Sequence, residues 1–501
     1  MASLRGWQFL AALSCAVWFG LHAEVSAQSG PNPATTAQTA ETDADASEDA
    51  PAGTPGERPT VLSVPPASPP PPVPPSLFQF SFKGTVALTL FGQDTPFVTG
   101  NGVGSLAGPA QIFSDSWHVG GDVRQSRFSL SVRGPELLGA VPLAAIELEM
   151  AGGNQIYTLP APPSVVTVRD AMGNTVGMGT VPGFTSSPQG DESLLPRMRT
   201  AYVEFNWGAG TNVLRAGQYH NLLLAMVSAS GAHPATLGYL AGQLGWRAPG
   251  ITFSHKFRLT PESTLDAAVQ VNRNSWNDNA LVCGPGMAPP TMNCLPSGVS
   301  LGEAGTPQVE ARVLLSGPLT ESMWPHYAPT VWQLHLIGHW DRKDLSGVNG
   351  VAPAGLRDSM TTYAIEAGGK YKLGPVQLAV NGWYGQNTGN VYGNNSQIQR
   401  PDKPDVQGFG VWSQLGVSFG HGFSAWGFAG IDRPNRDQAL LAEFTRLQNL
   451  QLAVMLAYVN GPLIATLEWL NITTVRPMAP MSAQTVSYSG NQPSFTIAYN
   501  F

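Results

Sequence analysis

A few groupings in the sequence have residue types that could carry chemistry. His335 and His339 stand four apart, a spacing that on a helix would put both imidazoles on one face, ready for a metal ion. Their segment, Val331 to Trp340, alternates as a strand instead, which sets the two side chains about 13 Å apart by strand rise. A zinc hydrolase would also want a glutamate directly after the first histidine, and Leu336 stands there. No metal site is expected. Gly100-Asn101-Gly102-Val103-Gly104 has the glycines of a phosphate cradle but no following helix to supply its positive end. Cys283 and Cys294 flank ten residues that include Pro285, Pro289 and Pro290. They form a matched pair once Cys15 leaves with the leader proposed below, and in an oxidising compartment a loop-stiffening disulfide is expected. The nine histidines are scattered and give no Ser/His/acid cluster, so neither an enzyme nor a cofactor is expected.

The remaining chemistry-bearing residues are ionic and sit at alternate positions of apolar segments, so their meaning depends on the elements that carry them. Composition narrows those elements. Only 12% of the 501 residues are charged, about half the ~25% usual in soluble domains. A net charge of -7 without Lys/Arg runs argues against nucleic acid, which is bound through phosphate-neutralising cations. Three cysteines exclude a disulfide scaffold. Beyond residue 27 no stretch reaches the ~20 apolar residues of a membrane helix.

Residues 1–27 read as a secretory signal peptide: Arg5, an apolar run from Trp7 to Leu21, then Val25-Ser26-Ala27 as the cleavage site. Residues 28–76 form a low-complexity tail with an acidic patch (Glu41, Asp43, Asp45, Glu48, Asp49) and a proline tract from Pro65 to Pro75. Such a composition cannot pair in a sheet and suits a disordered, semi-rigid spacer. The tail holds six acids and one arginine, leaving 24 basic and 26 acidic groups for residues 77–501. The acidity therefore belongs mainly to the tail.

From Leu77 on, period-two alternation dominates. Phe78, Phe80, Phe82, Val86, Leu88 and Leu90 fall on one face, with Gln79, Ser81, Lys83, Thr85 and Thr89 on the other. About sixteen such strands are legible. Their connections alternate between long ones (93–123, 152–196, 225–243, 274–305, 342–360, 387–405, 432–446, 474–491) and short ones (134–142, 208–211, 260–263, Gly374-Pro375, 420–422, 460–462), with 316–329 longer than its class. A soluble sandwich has no reason for that rhythm. A transmembrane barrel does, with short turns on one side and long loops on the other. The predicted fold is all-β: a transmembrane antiparallel β-barrel of about sixteen strands (fourteen to eighteen) over residues 77–501. Its apolar faces point to lipid and its polar faces to a wet lumen. Trp207, Trp332, Trp340, Tyr371, Trp426 and Trp469 near strand ends are read as interfacial girdles.

Arg197-Met198-Arg199-Thr200-Ala201-Tyr202-Val203-Glu204-Phe205, followed by Leu214-Arg215-Ala216-Gly217-Gln218-Tyr219, resembles the strand–turn–strand pattern of Gram-negative outer-membrane porins of the sixteen-strand type. Arg124-Gln125-Ser126-Arg127-Phe128 fits the same pattern. The last strand, with Phe495, Ile497, Tyr499 and terminal Phe501 at alternate positions, resembles the signal read by the barrel-assembly machinery. Among such proteins the chain resembles DcaP-like, solute-specific trimeric porins. The resemblance implies an outer-membrane homotrimer in contact with lipid and lipopolysaccharide, and a third outer loop, here 225–243, folded inward to narrow the pore. The tail would lie in the periplasm.

Selectivity in such a channel comes from pore radius and lining charge. The lumen-facing cations are expected to be Lys83, Arg127, Arg133, Arg215, Lys256, Arg258, Arg312, Lys370 and Lys372. The lumen-facing anions are expected to be Glu147, Glu149, Glu204, Asp266, Glu310, Glu366 and Glu468. Opposed rows of these would set a transverse field across the pore. The function expected is passive diffusion of small hydrophilic solutes and ions. The competing reading is a barrel of the same build acting as an adhesin or envelope tether.

Overall fold

The computed structural model describes residues 78–95, 97, 117–152, 157–169, 175–187, 195–233, 237–273, 282–283, 294–295, 305–318, 331–344, 357–397, 399 and 403–501. Residues 1–77, where a signal peptide and a tail are expected, lie outside these, as does the Gly100–Gly104 string. Sixteen antiparallel strands close into one barrel. They are β1 (Gln79–Gln93), β2 in two segments (His118–Asp122 and Arg127–Arg133), β3 (Ala140–Gly152), β4 (Leu195–Trp207), β5 (Asn212–His220), β6 (Arg247–Arg258), β7 (Thr264–Asn272) and β8 (Gly305–Pro318). The others are β9 (Val331–Asp344), β10 (Ser359–Leu373), β11 (Val376–Gln386), β12 (Gln407–Gly420), β13 (Phe423–Pro434), β14 (Gln448–Asn460), β15 (Leu463–Pro477) and β16 (Thr485–Asn500). Each strand pairs with its sequence neighbours, and β16 returns to β1 from Thr85↔Asn500 to Phe91↔Ser494. Closure leaves no edge strand with unpaired N–H groups, the condition for a sheet to stand in hydrocarbon.

The alternation sorts as lipid outside demands. Phe80, Phe82, Ile251, Leu334, Leu336, Ile365, Leu456 and Leu467 are exposed, while the residues between them point into the barrel and are mostly buried. At the seam the Phe501 N–H donates to the Gly84 carbonyl, and the Gly84 N–H donates to that of Phe501. The Phe501 ring lies over Gly84, where a Cβ would come within 2.4 Å of it; the seam has room for this ring because position 84 has no side chain.

Three features differ from the sequence reading. Trp426 is not in a girdle: with Ser424 and Phe428 it faces inward and is buried. The connection 152–196 contains a two-stranded hairpin, Tyr157–Arg169 with Thr175–Ser187. The second strand begins earlier than Arg124, at His118, and is broken at 123–126, where the Ser126 hydroxyl takes the Ala87 N–H.

The inside is also not uniformly polar. Trp412, Phe428, Leu470 and Ile472 point inward from β12, β13 and β15 and pack with Met226 and Leu237. Ile337, Ala364 and Trp383 do the same from β9, β10 and β11 around Leu222, Leu223 and Leu244. Most of the non-strand partners in the two clusters come from one loop, described over residues 221–233 and 237–246, which runs inside the barrel; Phe97 and Val391 join from two other loops.

Candidate functional site

Polar backbone inside a barrel must find hydrogen-bond partners away from any sheet, and the wall provides them side chain by side chain. The Leu222 N–H donates to Glu310 Oε2 at 2.6 Å and to Gln270 Oε1 at 2.8 Å, and Asn221 Nδ2 donates to Glu310 Oε1 at 3.1 Å. Gln414 brackets Ala229, accepting its N–H at 3.0 Å and donating to its carbonyl at 2.9 Å. Glu468 accepts from the Ser230 hydroxyl and the Gly231 N–H at 2.8–2.9 Å. Gln451 accepts from the Gly238 N–H and donates to the Tyr239 carbonyl, both at 3.1 Å, and Asn449 donates to the Leu240 carbonyl at 3.0 Å. From the break in β2, three strands round the seam from β15, Gln125 Nε2 donates to the Gly231 carbonyl at 2.6 Å. At Gly242 (φ 106°) a Cβ would stand 2.5 Å from the Val411 carbonyl carbon, so only glycine lets the loop lie this close to β12.

The loop leans on the arc from β7 to β15. The arc from β2 to β6 carries arginine instead. Glu149 is held by Arg197 at 2.5 Å, Arg247 at 2.9 Å and Arg199 at 3.4 Å, while Arg199 also reaches Glu147 at 2.6 Å. Arg127, opposite Glu149 in register, belongs to the same group. Arg215 pairs with Glu204 on the adjacent strand and lies 4.7 and 5.1 Å from the ring centres of Tyr202 and Tyr219. Arg312 and Asp266 pair at 3.0 Å. Where the loop meets this arc, Tyr239, Trp246 and Tyr392 pack edge-on and tilted with centroids 4.9–5.4 Å apart, and Arg247 lies 4.3 Å over Trp246. Burial pushes the Tyr239 and Tyr392 hydroxyls above the ordinary phenol range, so both remain neutral. Beneath the loop, Tyr202, Arg215, Tyr219, Thr252, Ser254 and Arg312 line a recess that opens to solvent.

The ionic residues named from sequence thus divide into three groups. Arg127, Glu147, Glu149, Glu204, Arg215, Asp266 and Arg312 lie on or beside the arginine arc. Glu310 and Glu468 hold the loop, and Glu366 lies 3.5 Å from His335 on the same side. Lys83, Arg133, Lys256, Arg258, Lys370 and Lys372 are not gathered with the others; they occupy lumen-facing positions near the short-turn end.

Alternation alone did not mark Arg197, Arg199 or Arg247, which belong to strand starts beside long loops. It also did not reveal that His339 stands between Glu310 and Asp341, 2.9 Å from each. Cys283 and Cys294 are register partners in a two-residue ladder. Gly298-Val299-Ser300-Leu301-Gly302 has the Gly-x-Ser-x-Gly spacing of a nucleophile elbow. It follows that antiparallel ladder, and residues 296–304 lie outside those described.

No family model and no curated protein matches the chain. Among solved structures it is similar to the outer membrane channel DcaP of Acinetobacter baumannii, with TM-score 0.54 and 13% identity, covering 85% of this chain and 97% of that one. The anion-selective porin from Comamonas acidovorans aligns with TM-score 0.46 and 11% identity over 85% of this chain and all of that one. The likeness is one of fold: a closed sixteen-stranded antiparallel barrel whose solved structural neighbours are outer-membrane channels and porins.

Proposed function

We propose that the chain is an outer-membrane porin that passes small hydrophilic solutes, with a preference for anions, by passive diffusion. The observation that carries this reading is the division of the inner wall. The loop covers Glu310 and Glu468, and Glu366, Asp341 and Asp432 are likewise buried, on the side where the loop is packed. On the arc that the loop leaves uncovered, Arg127, Arg197, Arg199, Arg215 and Arg247 outnumber Glu147, Glu149 and Glu204, and the Arg312–Asp266 pair beside it on β7 and β8 adds no net charge. A lumen walled by low dielectric focuses such an excess of one sign onto passing ions.

In this reading residues 1–27 are cleaved on export, 28–76 lie in the periplasm and the barrel assembles as a homotrimer. Its Phe495, Ile497, Tyr499 and Phe501 face is presented to the assembly machinery. No covalent step is needed. Reconstitution into planar bilayers under a salt gradient tests the proposal. Stepwise conductance with a reversal potential of anionic sign is expected. A folded barrel without conductance would overturn it in favour of an adhesin or envelope tether.

A further inference from the structure

The recess beneath the loop has polar groups that the fold does not use up. One inward rung crosses it: Val213 on β5, Ser254 on β6, Ala268 on β7 and Arg312 on β8 are successive register partners. Two strand spacings of ~4.8 Å set Ser254 and Arg312 about 10 Å apart along that rung, and only the methyl group of Ala268 stands between them. On the next rung Arg215 partners Thr252, whose hydroxyl is joined to that of Tyr219. The loop adds an apolar roof through Leu222 and Leu224.

The acids that line or border the recess are already matched. Glu147 is paired with Arg199, Glu204 with Arg215 and Asp266 with Arg312. Glu310, two residues before Arg312, is turned to Asn221 and Leu222 of the loop and to His339. Positive charge remains at one end, on β6 to β8. Arg312 reaches Asp266 through one terminal nitrogen at 3.0 Å, and its Nε is buried with no hydrogen bond among the described residues. Lys256, the register partner of Asp266, makes no ion pair among the described residues. At the other end Arg215 is held by Glu204 and lies between the rings of Tyr202 and Tyr219. What that end and the floor offer is neutral: the Tyr202 and Ser254 hydroxyls and the His220 ring make no side-chain hydrogen bond among the described residues.

A bare inorganic anion would use the cationic end alone, and a dianion would find no second one. A carbon chain with one carboxylate and several hydroxyls uses the whole recess, since pockets bind through apolar contact plus a few placed polar groups. We propose that the recess binds small polyhydroxylated monocarboxylates, the sugar acids. The carboxylate meets Arg312 and Lys256, hydroxyls meet Ser254, Tyr202 and His220, and the carbon chain lies against Leu222 and Leu224. The assignment rests on the porin reading above and gives its anion preference a solute class.

The test uses the full chain and two variants, each checked for a folded barrel by heat-modifiable gel mobility. Y202F/S254A removes two hydroxyls without changing charge. D266N/R312Q removes the cation together with its partner, so that neither is left buried and unpaired. Calorimetric titration of the detergent-solubilised protein with gluconate should give saturable binding, about tenfold weaker in each variant. Hexanoate, with the same carbon number and charge but no hydroxyls, should bind the unaltered chain at least about tenfold more weakly than gluconate, because it leaves the site's polar groups unmet. Sorbitol, with hydroxyls but no charge, should be equally poor, and adipate, with a carboxylate at each end, should gain nothing over hexanoate. Equal binding of gluconate and hexanoate would reduce the recess to a simple anion site and overturn the proposal. Tighter binding of adipate than of gluconate, or unchanged gluconate affinity in either variant, would overturn it too. In planar bilayers gluconate should lower the chloride current of the unaltered chain more than hexanoate does. Because calorimetry needs no current, a folded barrel that binds gluconate but never conducts overturns the porin reading and leaves the site standing. One that conducts chloride and binds no gluconate overturns the site alone.

Discussion

The two arcs of the inner wall handle buried polarity in opposite ways. From β2 to β6, charge meets charge: Glu149 lies among three arginines and Glu204 pairs with Arg215 across one rung. From β7 to β15, the wall offers Gln270, Gln414, Gln451, Asn449, Glu310 and Glu468 to a loop backbone and fills the gaps with Trp412, Phe428 and Leu470. The first arrangement tolerates water, because guanidinium groups can be solvated without loss of fold. The second excludes it, and each anchor removed there strands a buried partner at a cost of ~1–3 kcal/mol. One wall can therefore serve solutes while the other serves rigidity.

This contrast can be broken most forcefully at Glu310. Glu310→Ala removes the acceptor for the Asn221 amide, one of the two acceptors for the Leu222 N–H and a partner of His339. It should lower stability by about 3–5 kcal/mol, as expected when one member of a buried polar set is lost. A fall in the thermal midpoint followed by circular dichroism, with noisier and larger single-channel currents, is the expected outcome; unchanged currents would mean that the loop is held without this anchor. Next in size is Gly242→Val. It sets a branched side chain against β12 at a positive φ and should cost ~1–3 kcal/mol, read as early loss of the folded band on a heated gel.

The arginine arc should respond differently. Glu149→Gln leaves the loop anchors intact and frees positive charge from three arginines, so its main effect is on ions: the reversal potential shifts further toward anion preference while the melting temperature changes less than in Glu310→Ala. An opposite shift would place the ion path away from this arc. The smallest effect is expected at the seam. Gly84→Ala meets only the far end of the Phe501 ring, which can swing aside, so assembly should slow modestly. Phe501→Ala, which removes the ring itself, should slow it more. Pulse-chase appearance of the heat-modifiable form distinguishes the two.

Much of the fold was legible because a membrane barrel writes its two environments into alternate residues. Strand number, the faces of Lys83, Glu147, Glu310 and Glu468, and the long–short rhythm of connections all follow from that local rule. The resemblance places the loop 225–243 inside the barrel, and residues 221–233 and 237–246 lie there. Trp426 shows where the rule runs out: near a strand end, an inward tryptophan and a girdle tryptophan look alike, and only the phase of the strand in the closed barrel separates them.

Sequence by itself determined which residues look inward, because period-two alternation depends on nothing beyond the pleat of one strand. It determined the surplus of acid in the tail and the near-neutral body for the same reason: composition is additive. Tertiary structure decided what those inward residues meet. Whether a glutamate holds a loop, as Glu310 does, or sits among arginines, as Glu149 does, depends on contacts between strands far apart in the chain. It depends as well on how one loop crosses the closed barrel, and no local periodicity records either.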